Sequence, residues 1–187
     1  PFLEAPEKLL THKYPLHLCG QFSESPQDHH IIINDVLFTL LPYFKAQDLY
    51  RWHPEKPNEA LSQLFPLPEA QFKVLVGHHV FGDGHQEGTE QTVFLSGLDN
   101  IPLSLFSAYD YLALGHIHAP QIVSEKPLAI YSGSPYPLHF DYPGPRKLSF
   151  VSLNEKVEQT WIDIPVFLKL KKVKGTIDEL QLKLKGV

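Results

Sequence analysis

Two stretches set histidine directly after an apolar run and a glycine: KVLVGHH, residues 73–79, and YLALGHIH, residues 111–118. Each predicts a buried strand with imidazoles at its end, on His78 or His79 and on His116 and His118. In α/β proteins the loops beyond the carboxyl ends of strands converge on one crevice, so the repeated form predicts that these histidines meet. Neutral imidazole ligates Mn, Fe, Zn or Ni, and two ions about 3.5–4 Å apart bind both the attacking and the leaving oxygen of a phosphate ester. Spacing alone leaves open a single-ion site or a hydrogen-bonded polar pair. Gly77 and Gly115, lacking Cβ, are expected to permit a sharp turn and a close backbone approach. The chain holds 11 histidines, and His12, His17, His29, His30, His53 and His139 have no ligand-like spacing. They read as surface or hydrogen-bonded core residues.

The elements that must position these groups alternate between strands and helices. PFLEAPEKLLTHK, with Phe2, Leu3, Leu9 and Leu10, reads as a helix started or interrupted near Pro6. LHLCG, residues 16–20, reads as a short strand. HHIIINDVLFTLLPY predicts two strands joined by Asn34-Asp35, a hairpin signal weaker than Asn-Gly but of the same kind. From Phe44 to Pro68 the pattern is helical, and NEALSQLF after Pro57 offers Asn58 as N-cap with Leu61 and Leu64 on one face. FGDGHQEGTEQ is a polar, glycine-rich loop, and Asp83, His85 and Glu87 within it have no assigned role. Beyond it TVFLSG, YLALG, PLAIYSGSP, KLSFVSLN and VEQTWIDIPVFLKLKKV make the C-terminal third mostly β. GTIDELQLKLKGV then opens a helix, with Thr176 and Glu179 in capping-box register.

Composition bounds the class. With 187 residues, 43% hydrophobic and 20% charged, the chain suffices for a real core and one or two domains. It contains no apolar run long enough to span a membrane and no signal-peptide pattern, so a soluble, cytoplasmic protein is expected. Cys19 is the single cysteine, which excludes an internal disulfide framework and a cysteine-based zinc cluster. A first residue Pro1 and the absence of methionine read as a piece of a longer chain. The formal charge of −5 is uneven: residues 1–144 carry 7 basic and 16 acidic side chains, residues 145–187 carry 9 and 5. The basic excess peaks at Lys169, Lys171, Lys172 and Lys174, either as edge-protecting lysines or as contacts to a phosphate backbone.

GHIH followed by YSGSPYPLHFD resembles the calcineurin-type metallophosphoesterases, and among them the SbcD-type nuclease subunits of DNA repair. The matching motifs are Gly77-His78, Gly115-His116-Ile117-His118 and Gly133-Ser134-Pro135. The likeness covers residues 72–180 well and the first 70 in general layout. It implies an α/β fold, a two-sheet β-sandwich flanked by helices, of which this chain is the part lacking the N-terminal strands. Residues 1–170 would belong to the nuclease domain and 171–187 to the start of a DNA-capping domain. By this resemblance His78 and His116 bind one metal ion and His118 the other, with His79 the competing choice for His78. Two divalent ions, manganese preferred, would then serve hydrolysis of phosphodiesters.

The same resemblance implies further motifs ahead of these: Asp-x-His, Gly-Asp and Gly-Asn-His-Asp, the last supplying the catalytic histidine. None of these motifs is expected in the sequence, and PFLEAPEKLL resembles the helix that follows Gly-Asn-His-Asp. The isolated chain is therefore expected to be inactive, with the catalytic histidine upstream of Pro1. Implied partners are double-stranded DNA ends, an SbcC-like ATPase and a second copy in a homodimer. Two alternatives stand beside the exonuclease: a phosphoesterase acting on nucleotides or small phosphodiesters, and a non-catalytic interaction module. His139 and Asp141 are expected to hydrogen-bond the strand ends around the site. Tyr131 and Tyr136 either pack internally or stack on a nucleotide.

Overall fold

The computed structural model describes residues 16–23, 25–64, 66–82, 101–138, 145–165 and 173–184. The expected N-terminal helix, residues 83–91 of the expected glycine-rich loop, the TVFLSG strand, His139 and Asp141, and Lys169 to Lys172 lie outside the described residues.

Asn34 and Asp35 both take positive φ, 50° and 61°, the conformation a two-residue I′ turn demands and these side chains tolerate. The turn closes a hairpin of β1 (His30–Ile33) and β2 (Val36–Leu41), as the sequence predicts. β2 then runs parallel to β3 (Phe72–His78), and β3 parallel to β4 (Tyr111–Gly115). β6 (Leu128–Tyr131) continues the parallel set, and β5 (Gln121–Glu125) closes the edge antiparallel to β6. The order across the six-stranded sheet is β1-β2-β3-β4-β6-β5. Parallel neighbours need long connections. Between β2 and β3 runs α1 (Ala46–Trp52) with a 3-10 helix, Pro57–Leu64.

Alternation along the strands splits the apolar residues between two faces. On one, Leu41, Leu75, Leu112, Leu114, Ala129 and Tyr131 pack with Phe44, Leu49, Leu61, Leu64, Phe81 and Phe106 from the connecting segments. On the other, Val74, Tyr111 and Ile130 meet Val151, Leu153, Val157 and Trp161. These last belong to a second sheet, the antiparallel pair β7 (Arg146–Leu153) and β8 (Val157–Ile164). The architecture is thus a mixed α/β arrangement of two sheets face to face, with helical segments outside the larger one. That matches the fold expected from the resemblance.

Three local expectations need correction. Residues 16–20 form no strand. The segment after Pro57 is 3-10 rather than α-helical, and it starts at Pro57, so Asn58 lies inside it rather than capping it. Leu61 and Leu64, three apart, are both buried, which a three-residue turn aligns directly. β5 has no clear signal in the sequence, because QIVSE carries only two apolar residues. At the C-terminus the capping box is present: Thr176 N–H donates to Glu179 Oε2 at 2.8 Å and Glu179 N–H to Thr176 Oγ1 at 3.4 Å. α2 (Ile177–Leu184) follows it.

Candidate metal centre at the strand ends

In register, His78 of β3 stands opposite Gly115 of β4, and Gly77 opposite both Leu41 of β2 and Leu114 of β4. The carboxyl ends of three parallel strands therefore lie side by side. The His78 and His116 rings meet edge to face, with centroids 5.5 Å apart. Partial desolvation lowers the pKa of the exposed His78 from the usual imidazole value, and the neighbouring His116 and His118 press it in the same direction. All three predicted ligands are thus brought to one end of the sheet, with His78 favoured in the neutral form that a metal ion requires.

Gly115 makes this geometry possible. A Cβ there would lie 2.6 Å from His78 Nδ1 and 3.4 Å from Cε1, so a side chain at 115 would fill the space that the imidazole uses. Gly77 has a different task from the one expected. It sits inside β3, and a Cβ would meet the Phe81 ring at 3.1 Å, so it serves the packing beneath the strand end. His116 itself holds φ 99°, a region that L residues rarely enter. That backbone turn follows β4 at once.

His78 and His79 separate cleanly. His79 is buried, stacked at 8° on the Tyr43 ring with centroids 4.9 Å apart, and within 4.0 Å of the Phe44 centroid. Its Nε2 faces both the Phe44 N–H at 3.2 Å and the Pro42 carbonyl at 3.4 Å. Burial holds its pKa down to about 4; the Pro42 carbonyl opposes the shift, and His116 and His78 add to it. His79 is engaged in fastening the loop after β2, whereas His78 projects from the strand end toward His116.

A second layer fixes His118. Its carbonyl accepts the Ser134 N–H at 2.9 Å and an Arg146 Nη1–H at 3.5 Å. Gly133 holds φ 80°, and a Cβ there would fall 2.7 Å from His118 O and 2.8 Å from Pro120 N. The Gly-Ser-Pro motif therefore works through the backbone: it lays a turn directly on residues 118–120. Ser134 Oγ donates to the Tyr136 carbonyl at 2.7 Å, closing that turn. Tyr131, fully buried, donates to His79 O at 2.8 Å and accepts the Phe81 N–H at 2.7 Å. It is an internal strut. Tyr136 is 68% exposed.

His29 and His30 are used in packing, as expected. His29 is buried, with the Ser23 N–H on Nε2 at 3.1 Å and the Leu40 carbonyl near Nδ1 at 3.2 Å. His30 joins Thr39 Oγ1 and the Leu64 carbonyl. Contrary to expectation, two motifs of the series do occur by letter: Asp28-His29-His30 has the spelling Asp-x-His, and Gly82-Asp83 the spelling Gly-Asp. Asp28, however, takes a hydrogen bond from Ser23 Oγ, and both histidines are committed to the contacts just given. Among the described residues no three His, Cys, Asp or Glu side chains are arranged to hold a metal ion together. The donor set thus fits an ion in part, through His78 and His116 with His118 beside them. No helix among the described residues is long and apolar enough to cross a membrane.

No protein-family model matches the chain. The chain is similar to the SbcD subunit of the SbcCD nuclease of Escherichia coli K12, 32% identical over 124 residues that form 64% of this chain and 30% of that protein. The O157:H7 counterpart gives the same figures. The SbcD subunit of the Staphylococcus epidermidis SbcCD nuclease is 21% identical over 165 residues, 82% of this chain and 44% of that protein. The chain spans less than half the length of these curated relatives.

Proposed function

We propose that this chain, homologous to the SbcD-type nuclease subunits, supplies the histidine-bearing part of a two-ion site that hydrolyses phosphodiesters at double-stranded DNA ends. The observation that carries this reading is the meeting of His78 and His116, from separate strands, with ring centroids 5.5 Å apart. His78 and His116 would hold one divalent ion and His118 the other, manganese being the preferred metal. When bound, such ions lower the pKa of water and neutralise charge developing on phosphate oxygens. The chain's own residues present the imidazoles, His78 favoured in its neutral form, fix the His118 backbone through Ser134 and Arg146, and keep the space at Gly115 clear. Residues 1–170 would form part of the nuclease domain and 171–187 the start of a capping domain. An SbcC-like ATPase and a second copy would complete the assembly, and the isolated chain would not cut DNA.

Calorimetric titration with Mn²⁺ beside His116→Ala tests the site. The expected result is weak binding of at most one ion to this chain, lost in the variant. Tight binding of two ions to the chain would overturn the division of ligands. Cutting of linear duplex DNA by the full-length protein separates an exonuclease from a phosphoesterase that accepts only small esters.

A further inference from the structure

Tyr43 lies beyond the end of β2, beside the candidate metal centre, and is not one of its ligands. One face of its ring lies flat on His79, 4.9 Å between centroids and 8° from parallel. Its ring also meets His78 nearly edge to face, at 6.2 Å and 74°. The next residue, Phe44, is tied to His79 through its N–H. The preceding residue, Pro42, meets the same Nε2 with its carbonyl at 3.4 Å, so the backbone is held at His79 on either side of Tyr43. Yet Tyr43 remains 44% exposed, unlike Phe44, which is buried. A large aromatic left in water beside a candidate metal site, already oriented and already supported on one face, has paid its ordering entropy before any ligand arrives.

We infer that Tyr43 is a nucleobase platform: its exposed surface stacks on a base of the DNA strand whose phosphate lies at His78 and His116. The inference rests on the function proposed above and adds a substrate contact to it. The chemistry suits the class of ligand, since every base offers a π-face and stacking tolerates any sequence. Neighbouring bases also lie close enough to a phosphate for one residue to hold the base while the histidines serve the backbone. Tyr43 acts here as a positioning residue for substrate.

The test uses the full-length protein and a phosphorothioate-linked duplex oligonucleotide carrying 2-aminopurine near one end. Stacking on Tyr43 quenches the fluorescence of that base. Expected are quenching in the wild type, its retention in Tyr43→Phe, and its loss in Tyr43→Leu together with a roughly 10- to 100-fold weaker Kd. Mn²⁺ affinity should be unchanged in both variants. Unchanged quenching and Kd in Tyr43→Leu would overturn the inference while leaving the proposed function standing. Loss in Tyr43→Phe as well would assign the effect to the hydroxyl and overturn the stacking role. A fall in Mn²⁺ affinity in Tyr43→Leu would show a ring that merely supports His78, and would overturn the stacking role equally. Absence of oligonucleotide binding by the wild type would instead sink the nuclease reading, and the platform with it.

Discussion

Glycine at 115 is a demand made by a neighbouring side chain rather than by its own backbone. A methyl group there would stand 2.6 Å from His78 Nδ1, and His78, at an exposed strand end, would rotate away. Gly115→Ala is therefore expected to leave the fold intact and to weaken Mn²⁺ binding roughly 10- to 100-fold, the range found for groups that orient ligands. Calorimetry paired with a thermal melt reads both. The sequence GHIH signals this site because glycine and two histidines are spelled out locally. It could not choose between His78 and His79. That choice depends on Phe44 and Tyr43, some 35 positions away, whose rings and N–H claim His79. Nor did it reveal what Gly133 does, since the atom a Cβ would strike belongs to His118.

At the scale of elements, the turn after β3 is held by a hydroxyl from β6. Tyr131 satisfies both Phe81 N–H and His79 C=O, and removing the oxygen leaves two buried backbone groups without it. Tyr131→Phe should cost about 1–3 kcal/mol, measured by urea unfolding, and should loosen the segment on which His79 sits. Elements whose signal is local are legible in the sequence: the Asn34-Asp35 hairpin, the Thr176–Glu179 capping box, and the apolar runs that form β3, β4 and β6. Elements shaped by distant partners are not. The Pro57–Leu64 segment is drawn into a 3-10 turn as Leu61 and Leu64 pack into the core, and β5 exists because β6 offers it an edge.

For the molecule as a whole, stability at alkaline pH should be governed by buried phenols. Tyr109 is buried in the main core and its pKa is pushed up to about 12; burial is the larger cause, opposed by a hydrogen bond with Thr39. Tyr111 shifts in the same direction for the same first reason. A pKa raised above the unfolded value of about 10 means that the unfolded chain loses its proton first as pH rises. The contribution is full below pH 10 and is lost between about 10 and 12, roughly 2–3 kcal/mol for Tyr109 alone. Unfolding free energies at pH 9 and pH 12 should differ less in Tyr109→Phe. A pH-independent wild type across that interval would contradict the assignment.

His116 has one more consequence, which concerns selection rather than chemistry. Asn34 and Asp35 also occupy positive φ, but in a turn that suits them; His116 does so at 99°, where a side chain costs about 1–2 kcal/mol. His116→Gly should thus be about 1 kcal/mol more stable than His116→Ala, though both lack the imidazole. A library of variants screened for thermal tolerance alone would drift toward glycine at this position, and its most robust members would be those that had discarded the imidazole.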